Sequence, residues 1–77
     1  MGRFFFDLQG AQNANDPTGL VFETELEAFR AAQRLATELS RTRPNLRGST
    51  CVVVTKQGRW RCLLRERVKA APVGGHV

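Results

Sequence analysis

Few residues of this chain could act as nucleophiles, bases or metal ligands, and those few are widely separated. His76 is the only histidine, and it lies near the C-terminus in a segment without helical or strand periodicity. A nucleophile needs a base held rigidly beside it, which a frayed terminus does not supply. Glu25 and Glu27 could be paired carboxylates, but at a predicted helix start they are better explained as charges that suit the helix dipole. The sequence therefore predicts a protein that is not an enzyme and uses no cofactor.

The two cysteines, Cys51 and Cys62, indicate neither a metal site nor a disulfide bond. Structural metal sites usually take four ligands, commonly grouped as C-x-x-C pairs. These cysteines fall in neighbouring predicted strands, either on opposite faces or as diagonal neighbours, too far apart for a bridge. We expect Cys62 to fill space in the core and Cys51 to lie on the opposite face.

The stronger chemical signal is arginine, above all in the segment "RWRCLLRER" at residues 59–67. The net charge is +5, and residues 39–77 carry nine cations against one acidic residue, whereas residues 1–38 carry three against six. Arginine presents a planar fork to phosphates and carboxylates. An acidic partner is therefore expected: nucleic acid, an acidic protein, or the acidic half of a second copy. The alternative is a solubilising surface from an arginine-rich genome.

The length and composition predict one small domain. A chain of 77 residues with 42% hydrophobic residues can form a core, and dimerisation would be a natural supplement to its stability. We expect a domain at residues 1–68 and a disordered tail at 69–77, because that tail has no periodicity. No secretory signal and no apolar run of about 18 residues are found. A cytoplasmic protein without membrane spans is expected.

The first half of the chain predicts two strands and a helix. Arg3–Leu8 alternates as a strand, and Asp16–Gly19 fits a type I turn at the end of a polar loop. The short run Leu20–Phe22 is expected to pair with the first strand as an edge strand. A capping box, Thr24 with Glu27, then begins a helix over 25–42. Its apolar stripe comprises Ala28, Phe29, Ala32, Leu35, Ala36 and Leu39.

The second half predicts two more strands, Cys51–Thr55 and Arg59 to about Glu66, joined at Lys56–Gly58. A two-residue turn would need positive φ at Gln57, so a three-residue loop with only Gly58 left-handed is preferred. That loop places Val54 opposite Trp60 and Val52 opposite Cys62. One face is then the core set, which comprises Val52, Val54, Trp60, Cys62 and Leu64.

The predicted fold is α+β: a four-stranded, mainly antiparallel sheet in β-β-α-β-β order, with one helix on one face. The other face has no cover, so it is solvated, paired with a second copy, or used for binding. Phe5, Val53 and Leu63 form its expected apolar centre, where Asp7 could pair with a partner's arginine. The candidate binding residues of this face are Arg3, Phe5, Arg59, Arg61, Leu63 and Arg65.

The opening "MGRFFFD", the D-x-x-G turn at 16–19 and the helix start at Glu27–Ala28 resemble a known family. It comprises short bacterial proteins of unknown function that begin M-x-R-[YF]-F-F-[DH], and the resemblance covers roughly residues 1–66. It implies the layout described above and no activity. The chain departs from the usual pattern in its arginine-rich closing strand.

Two functions follow from these observations. The first is a non-catalytic interaction module that forms a homodimer or binds a partner through the open sheet face, with arginines as the rim. The second is a basic nucleic-acid-binding protein, in which the fourth strand, Arg43, Arg47 and Lys69 contact phosphates and Phe5 stacks on a base.

Overall fold

The computed structural model describes residues 1–58 and 61–69 of the chain. Its elements are β1 (Gly2–Gly10), β2 (Leu20–Phe22), α1 (Glu25–Thr42), a short 3-10 helix (Pro44–Leu46), β3 (Thr50–Lys56) and β4 (Leu64–Arg67). The predicted α+β fold in β-β-α-β-β order is confirmed. Of the predicted tail, only Lys69 belongs to the described residues, and it is exposed; the rest of that prediction lies outside them.

The four strands form one antiparallel sheet in the order β2-β1-β3-β4. The long first strand lies in the interior of the sheet, and the short β2 lies at an edge, as the sequence predicts for β2. The β1–β3 ladder runs from Phe4 opposite Lys56 to Gly10 opposite Thr50. This ladder joins the two longest strands, which form the middle of the sheet.

Helix α1 begins and ends where the sequence predicts, and the capping box is formed. The Glu27 N–H donates to Thr24 Oγ1 at 3.2 Å, and the Thr24 N–H donates to Glu27 Oε1 at 3.3 Å. One side of α1 is buried through small residues, Ala28, Ala32 and Ala36. Small residues let the helix approach the large side chains of the sheet closely. Among the described residues, no helix is long and apolar enough to cross a membrane.

The core lies between α1 and one face of the sheet. The buried residues of this core are Phe4, Ala28, Ala32, Ala36, Leu46, Val52, Val54 and Val68. Phe22 packs beside this cluster, with its ring edge-on to the rings of Phe4 and Phe6 at centroid distances of 6.0 Å. The predicted inward positions of β1 and β3 are therefore confirmed.

The predicted register between β3 and β4 is wrong by four residues. Val54 lies opposite Leu64 and Val52 opposite Glu66, so β4 begins well after Arg59. The reason is Val68, which is fully buried beyond the predicted strand end. Its N–H donates to Thr50 O at 2.9 Å and its C=O accepts from the Gly48 N–H at 2.7 Å. These contacts anchor the last residues of the strand and draw the pairing toward the C-terminus.

The register change alters the expected roles of the loop residues. Gly58 has φ +86°, so its predicted left-handed conformation is confirmed. Cys62, however, lies outside the ladder and is exposed, and its thiol donates to Leu64 O at 2.9 Å. The prediction that Cys62 fills the core is therefore wrong. The predicted core role of Trp60 lies outside the described residues.

Candidate functional site

Side-chain alternation divides the sheet into a face covered by α1 and a face without a helix, which we call the open face. Strand neighbours point to opposite faces, so residues that alternate with Phe4, Val52 and Val54 belong to the open face. Pairing with β1 and β3 extends this assignment to β2 and β4. The open face comprises Arg3, Phe5, Asp7, Gln9, Val21, Cys51, Val53, Thr55, Arg65 and Arg67.

The middle of the open face is covered by an arginine. Val53 lies between Asp7 on β1 and Arg65 on β4, yet it is only 3% exposed. Arg65 Nη1 donates to Gln9 Oε1 at 3.0 Å. Because Gln9 belongs to β1 and Arg65 to β4, the guanidinium group crosses β3 beside Val53. The expected apolar centre at Val53 is therefore not available to a partner.

Phe5 lies at the β1 end of the open face and is half-buried. Its ring packs against the turn before β2, where a Cβ on Gly19 would come within 3.0 Å of the ring. Gly19 also has φ +71°, a conformation that favours glycine. On the other side of this turn, Arg3 Nη1 donates to Thr18 O at 2.8 Å. Phe5 is thus a partly exposed ring held in place by the loop.

Asp7, the acidic residue of the open face, is engaged inside the molecule. Its Oδ1 accepts the backbone N–H of Asp16 at 2.8 Å. Asp16 in turn accepts the N–H groups of Phe6 at 3.2 Å, Thr18 at 3.3 Å and Gly19 at 3.0 Å. Burial alone would raise the pKa of Asp16, but these three donors lower it. The loop carboxylates therefore stabilise the part of β1 that β2 does not cover.

The structure brings together only part of the predicted binding set. Arg3, Phe5 and Arg65 share the open face, whereas Arg61 is exposed in a bend before β4. Leu63 is half-buried and packs against the core cluster, and its N–H donates to Val54 O at 2.8 Å. It is therefore not part of an apolar centre on the open face. Arg59 lies outside the described residues.

Two members of the face were missed from the sequence. Arg67 on β4 and Gln9 on β1 both lie opposite Cys51, and Gln9 accepts the hydrogen bond from Arg65. Strand alternation continued past Glu66 would have placed Arg67 on this face, whereas the Gln9 contact joins residues far apart in the sequence. Cys51, expected on this face, is half-buried there.

The remaining arginines of the nucleic-acid hypothesis lie elsewhere. Arg47 Nε donates to Ser40 O at 2.8 Å, and Arg43 Nη1 to Gln12 Oε1 at 3.4 Å. These contacts hold the segment after α1 against the helix end and the polar loop. Arg43 and Arg47 therefore do not extend the open face.

The described structure also has a groove on the helix, away from the open face. An open groove of about 440 Å³ is lined by Arg30, Gln33, Arg34, Thr37, Glu38 and Arg41. All six residues belong to α1, so no second element closes the groove. Within residues 1–58 and 61–69, no three His, Cys, Asp or Glu residues are grouped as a metal site would require.

Comparison with known proteins gives a family without an assigned activity. Residues 3–70 match the family described as Domain of unknown function (DUF6894). This agrees with the resemblance noted above in that both lead to a family of unknown function. No curated protein and no solved structure shows a significant match.

Proposed function

We propose that this chain, which belongs to the family Domain of unknown function (DUF6894), is a non-catalytic interaction module that binds an anionic partner through its open face. The observation that carries the proposal is a row of exposed arginines. Arg65 and Arg67 alternate on β4, and the exposed Arg61 precedes them. The one carboxylate of the face, Asp7, already accepts a hydrogen bond from the loop.

The charge of the open face makes it less suited to a second copy of itself. Two such faces brought together would oppose their arginines, and like charges at close range disfavour association. Of the three apolar side chains expected at the centre of this face, Val53 is buried, Phe5 is half-buried, and Leu63 packs against the core cluster instead. An acidic surface or a phosphate chain has the complementary charge.

Among anionic partners, single-stranded nucleic acid is the class that we favour. Arginine binds phosphate through two parallel hydrogen bonds. The half-exposed ring of Phe5 on the same sheet face adds a surface on which a base can stack. An acidic protein segment would use the arginines but would gain less from the ring. Acidic protein is therefore the second candidate.

The test is binding to two anionic polymers of similar charge, a labelled single-stranded oligonucleotide and a poly-glutamate peptide. We expect the oligonucleotide to bind more tightly, with an affinity that falls steeply as salt rises. For single strands the logarithmic slope changes by about 0.7 for each phosphate contact. Tighter binding of poly-glutamate would assign the face to acidic protein instead. Absence of binding to both polymers at low salt would contradict the proposal.

A matched pair of variants separates the face from net charge. Arg65→Glu with Arg67→Glu should weaken oligonucleotide binding at least about tenfold and flatten the salt slope by roughly 1.4. Arg34→Glu with Arg41→Glu changes the net charge equally on the outer surface of α1. This control should bind nearly as well as the natural protein. Equal losses in both variants would mean that only the overall charge matters.

The same proposal includes the cellular compartment of the protein and the sequence motif shared by its family. A cytoplasmic site of action would give the arginines access to nucleic acid. We also infer that other members of the family, which we take to be short bacterial proteins, share the opening motif M-x-R-[YF]-F-F-[DH], since its aromatic residues build β1, an interior strand of the sheet.

A further inference from the structure

Strand β2 forms an edge of the sheet that has few of the usual protections against pairing. It is Leu20–Phe22, without charge or proline, and Leu20 and Val21 are 57% and 52% exposed. The opposite edge, β4, carries the exposed charges of Arg65 and Arg67. Natural proteins usually protect edges with such charges, because an open edge can pair with another chain.

The hydrogen bonds of β1 show which of its residues point their backbone N–H and C=O groups toward β2. On the side toward β2 and the loop, the N–H of Leu8 donates to Ala14 O at 2.8 Å. On the side toward β3, the C=O of Arg3 accepts from Gln57 at 2.8 Å. Backbone groups alternate along a strand, so the even-numbered residues of β1 direct theirs to β2.

It follows that Val21 points its backbone outward. Phe4 pairs with Leu20 and Gly2 with Phe22, so those residues of β2 use their N–H and C=O groups on β1. Val21 lies between them and presents both groups to the open side of the edge. Among the described residues, neither group has a partner.

The neighbouring outward N–H groups are already occupied. The Gly19 N–H donates to Asp16 Oδ1 at 3.0 Å, and the Glu23 N–H donates to Glu27 Oε1 at 3.2 Å. The edge is therefore closed at both ends by carboxylates. Val21 remains with one donor and one acceptor at the midpoint of the strand.

We propose that β2 pairs with β2 of a second copy of this chain, antiparallel, about a two-fold axis through Val21. The Val21 N–H of each copy donates to the Val21 C=O of the other, which satisfies both groups with two reciprocal hydrogen bonds. An extended peptide would find the same two groups but no further donors along the edge. A second copy brings an equally rigid edge, so less conformational entropy is lost on association.

Side chains on the helix side of the edge are complementary in this arrangement. Leu20 comes opposite Phe22 of the second copy, close to the first turn of its helix. Leu26 in that turn is 56% exposed, although it is apolar. Pairing would cover Leu20 of both copies, which removes exposed apolar surface from water beside this turn.

Charges on the open-face side are complementary as well. Arg3 holds its guanidinium group at Thr18 O, next to Gly19. The pairing places Glu23 of the second copy opposite Gly19, within reach of that guanidinium group. The two-fold axis forms this Arg3–Glu23 pair twice, once on each side of Val21.

The short edge limits how tightly the two copies associate. Stable interfaces usually bury about 1,600 Å² in total, and a strand of three residues with one flanking leucine covers less. We therefore expect a reversible dimer whose population rises with protein concentration in the micromolar range.

The direct test is amide hydrogen exchange by NMR on the full chain at low and high protein concentration, with sedimentation equilibrium on the same samples. The Val21 amide should exchange several-fold more slowly at high concentration. The Phe22 amide is already bonded to β1 and serves as the internal reference. A monomer throughout the concentration range, or a dimer whose Val21 amide is unaffected, would overturn the proposal.

Variants add a second line of test. Val21→Lys places two lysines directly opposite each other across the axis, with Cα atoms about 5.5 Å apart, and their like charges should weaken the dimer at least about tenfold. Gln57→Lys adds the same charge in an exposed turn and should leave association unchanged. Arg3→Glu and Glu23→Arg should each weaken the dimer, and the double variant should restore it. If the double variant did not restore dimerisation, the Arg3–Glu23 pair would be wrong. If Val21→Lys formed dimers with the affinity of the natural protein, the pairing through β2 would be wrong.

Discussion

At the scale of single residues, Asp16 is the side chain that shapes the open face and the edge beside it. Its carboxylate accepts three backbone N–H groups, and its own N–H binds Asp7. One of those donors, Phe6, belongs to β1 at a position where β2 does not extend. A carboxylate therefore replaces strand pairing along this part of β1 and holds the turn at Gly19.

Replacing this carboxylate by an amide tests that role. In Asp16→Asn one oxygen becomes an NH₂ group, which cannot accept, so at least one backbone donor loses its partner. We expect a loss of roughly 1 to 2 kcal/mol in the free energy of unfolding, measured by urea denaturation. Asp7→Asn is the matched control, since its remaining carbonyl can still accept the single N–H of Asp16. Equal stability of Asp16→Asn and the natural protein would contradict this account.

The lowered pKa of Asp16 also gives the sign of a pH effect. The carboxylate favours the folded state fully when the pH is above its ordinary value of 3.8. This stabilisation is lost as the pH falls through the lowered pKa of the folded state. The difference in stability between the natural protein and Asp16→Asn should therefore shrink over that acid range.

At the scale of elements, the start of α1 serves two purposes at once. Glu27 Oε1 accepts the N–H groups of Thr24 and Glu23, and Thr24 Oγ1 accepts the Glu27 N–H. These bonds satisfy N–H groups that a helix start leaves free. The same carboxylate occupies the Glu23 N–H at the end of β2, which confines the open part of that edge to Val21.

The capping residue gives a prediction at this scale. Thr24→Ala removes the acceptor for the Glu27 N–H and should lower the free energy of unfolding by about 1 kcal/mol. Thr24→Ser keeps a hydroxyl at the same place and should change stability far less. Thermal and urea denaturation followed by circular dichroism measure both variants. A loss of the same size in Thr24→Ser would assign the effect to the methyl group instead of the cap.

At the scale of the whole molecule, the two proposals use different parts of the sheet, the arginines of β4 for binding and the edge strand β2 for pairing. Antiparallel pairing through β2 would join two four-stranded sheets into one of eight strands, because β2 is the outermost strand. The two-fold axis stands perpendicular to the sheet at its centre, so both open faces belong to the same surface of the joined, twisted sheet. Both β4 strands then lie at the outer ends, about 34 Å apart at the usual strand spacing.

This geometry predicts that partner length matters. An oligonucleotide longer than about 34 Å can contact the arginines of both copies, and simultaneous contacts should raise its affinity at least about tenfold over a shorter one. The Val21→Lys variant should lose this advantage, while the added cation on the open face should leave its affinity for the short oligonucleotide no lower than that of the natural protein. Fluorescence anisotropy with the two lengths measures both effects. If the variant retained the full length effect, dimerisation would have no part in binding.

The sequence by itself determined the features that depend on near neighbours. The bounds of α1, its capping box, the short β2 and the turn before it follow from residues within a few positions of one another. Alternation along the strands also determined that Arg3, Phe5 and Arg65 share a face. It survived the wrong register because a shift by four residues, an even number, leaves the side chains within the β3–β4 ladder on their own faces, whereas Cys62 and Leu63 lie outside that ladder.

Only the tertiary structure decided what depends on contacts between distant residues. The place of β4 follows from the burial of Val68 and its bonds to Gly48 and Thr50, which no local pattern reveals. The cover of Val53 by Arg65 depends on Gln9, two strands away. Strand order and the carboxylates at both ends of β2 likewise leave Val21 as the open position of the edge. These features share one physical reason: a register is selected by the total of many pairings, and no single segment contains them all.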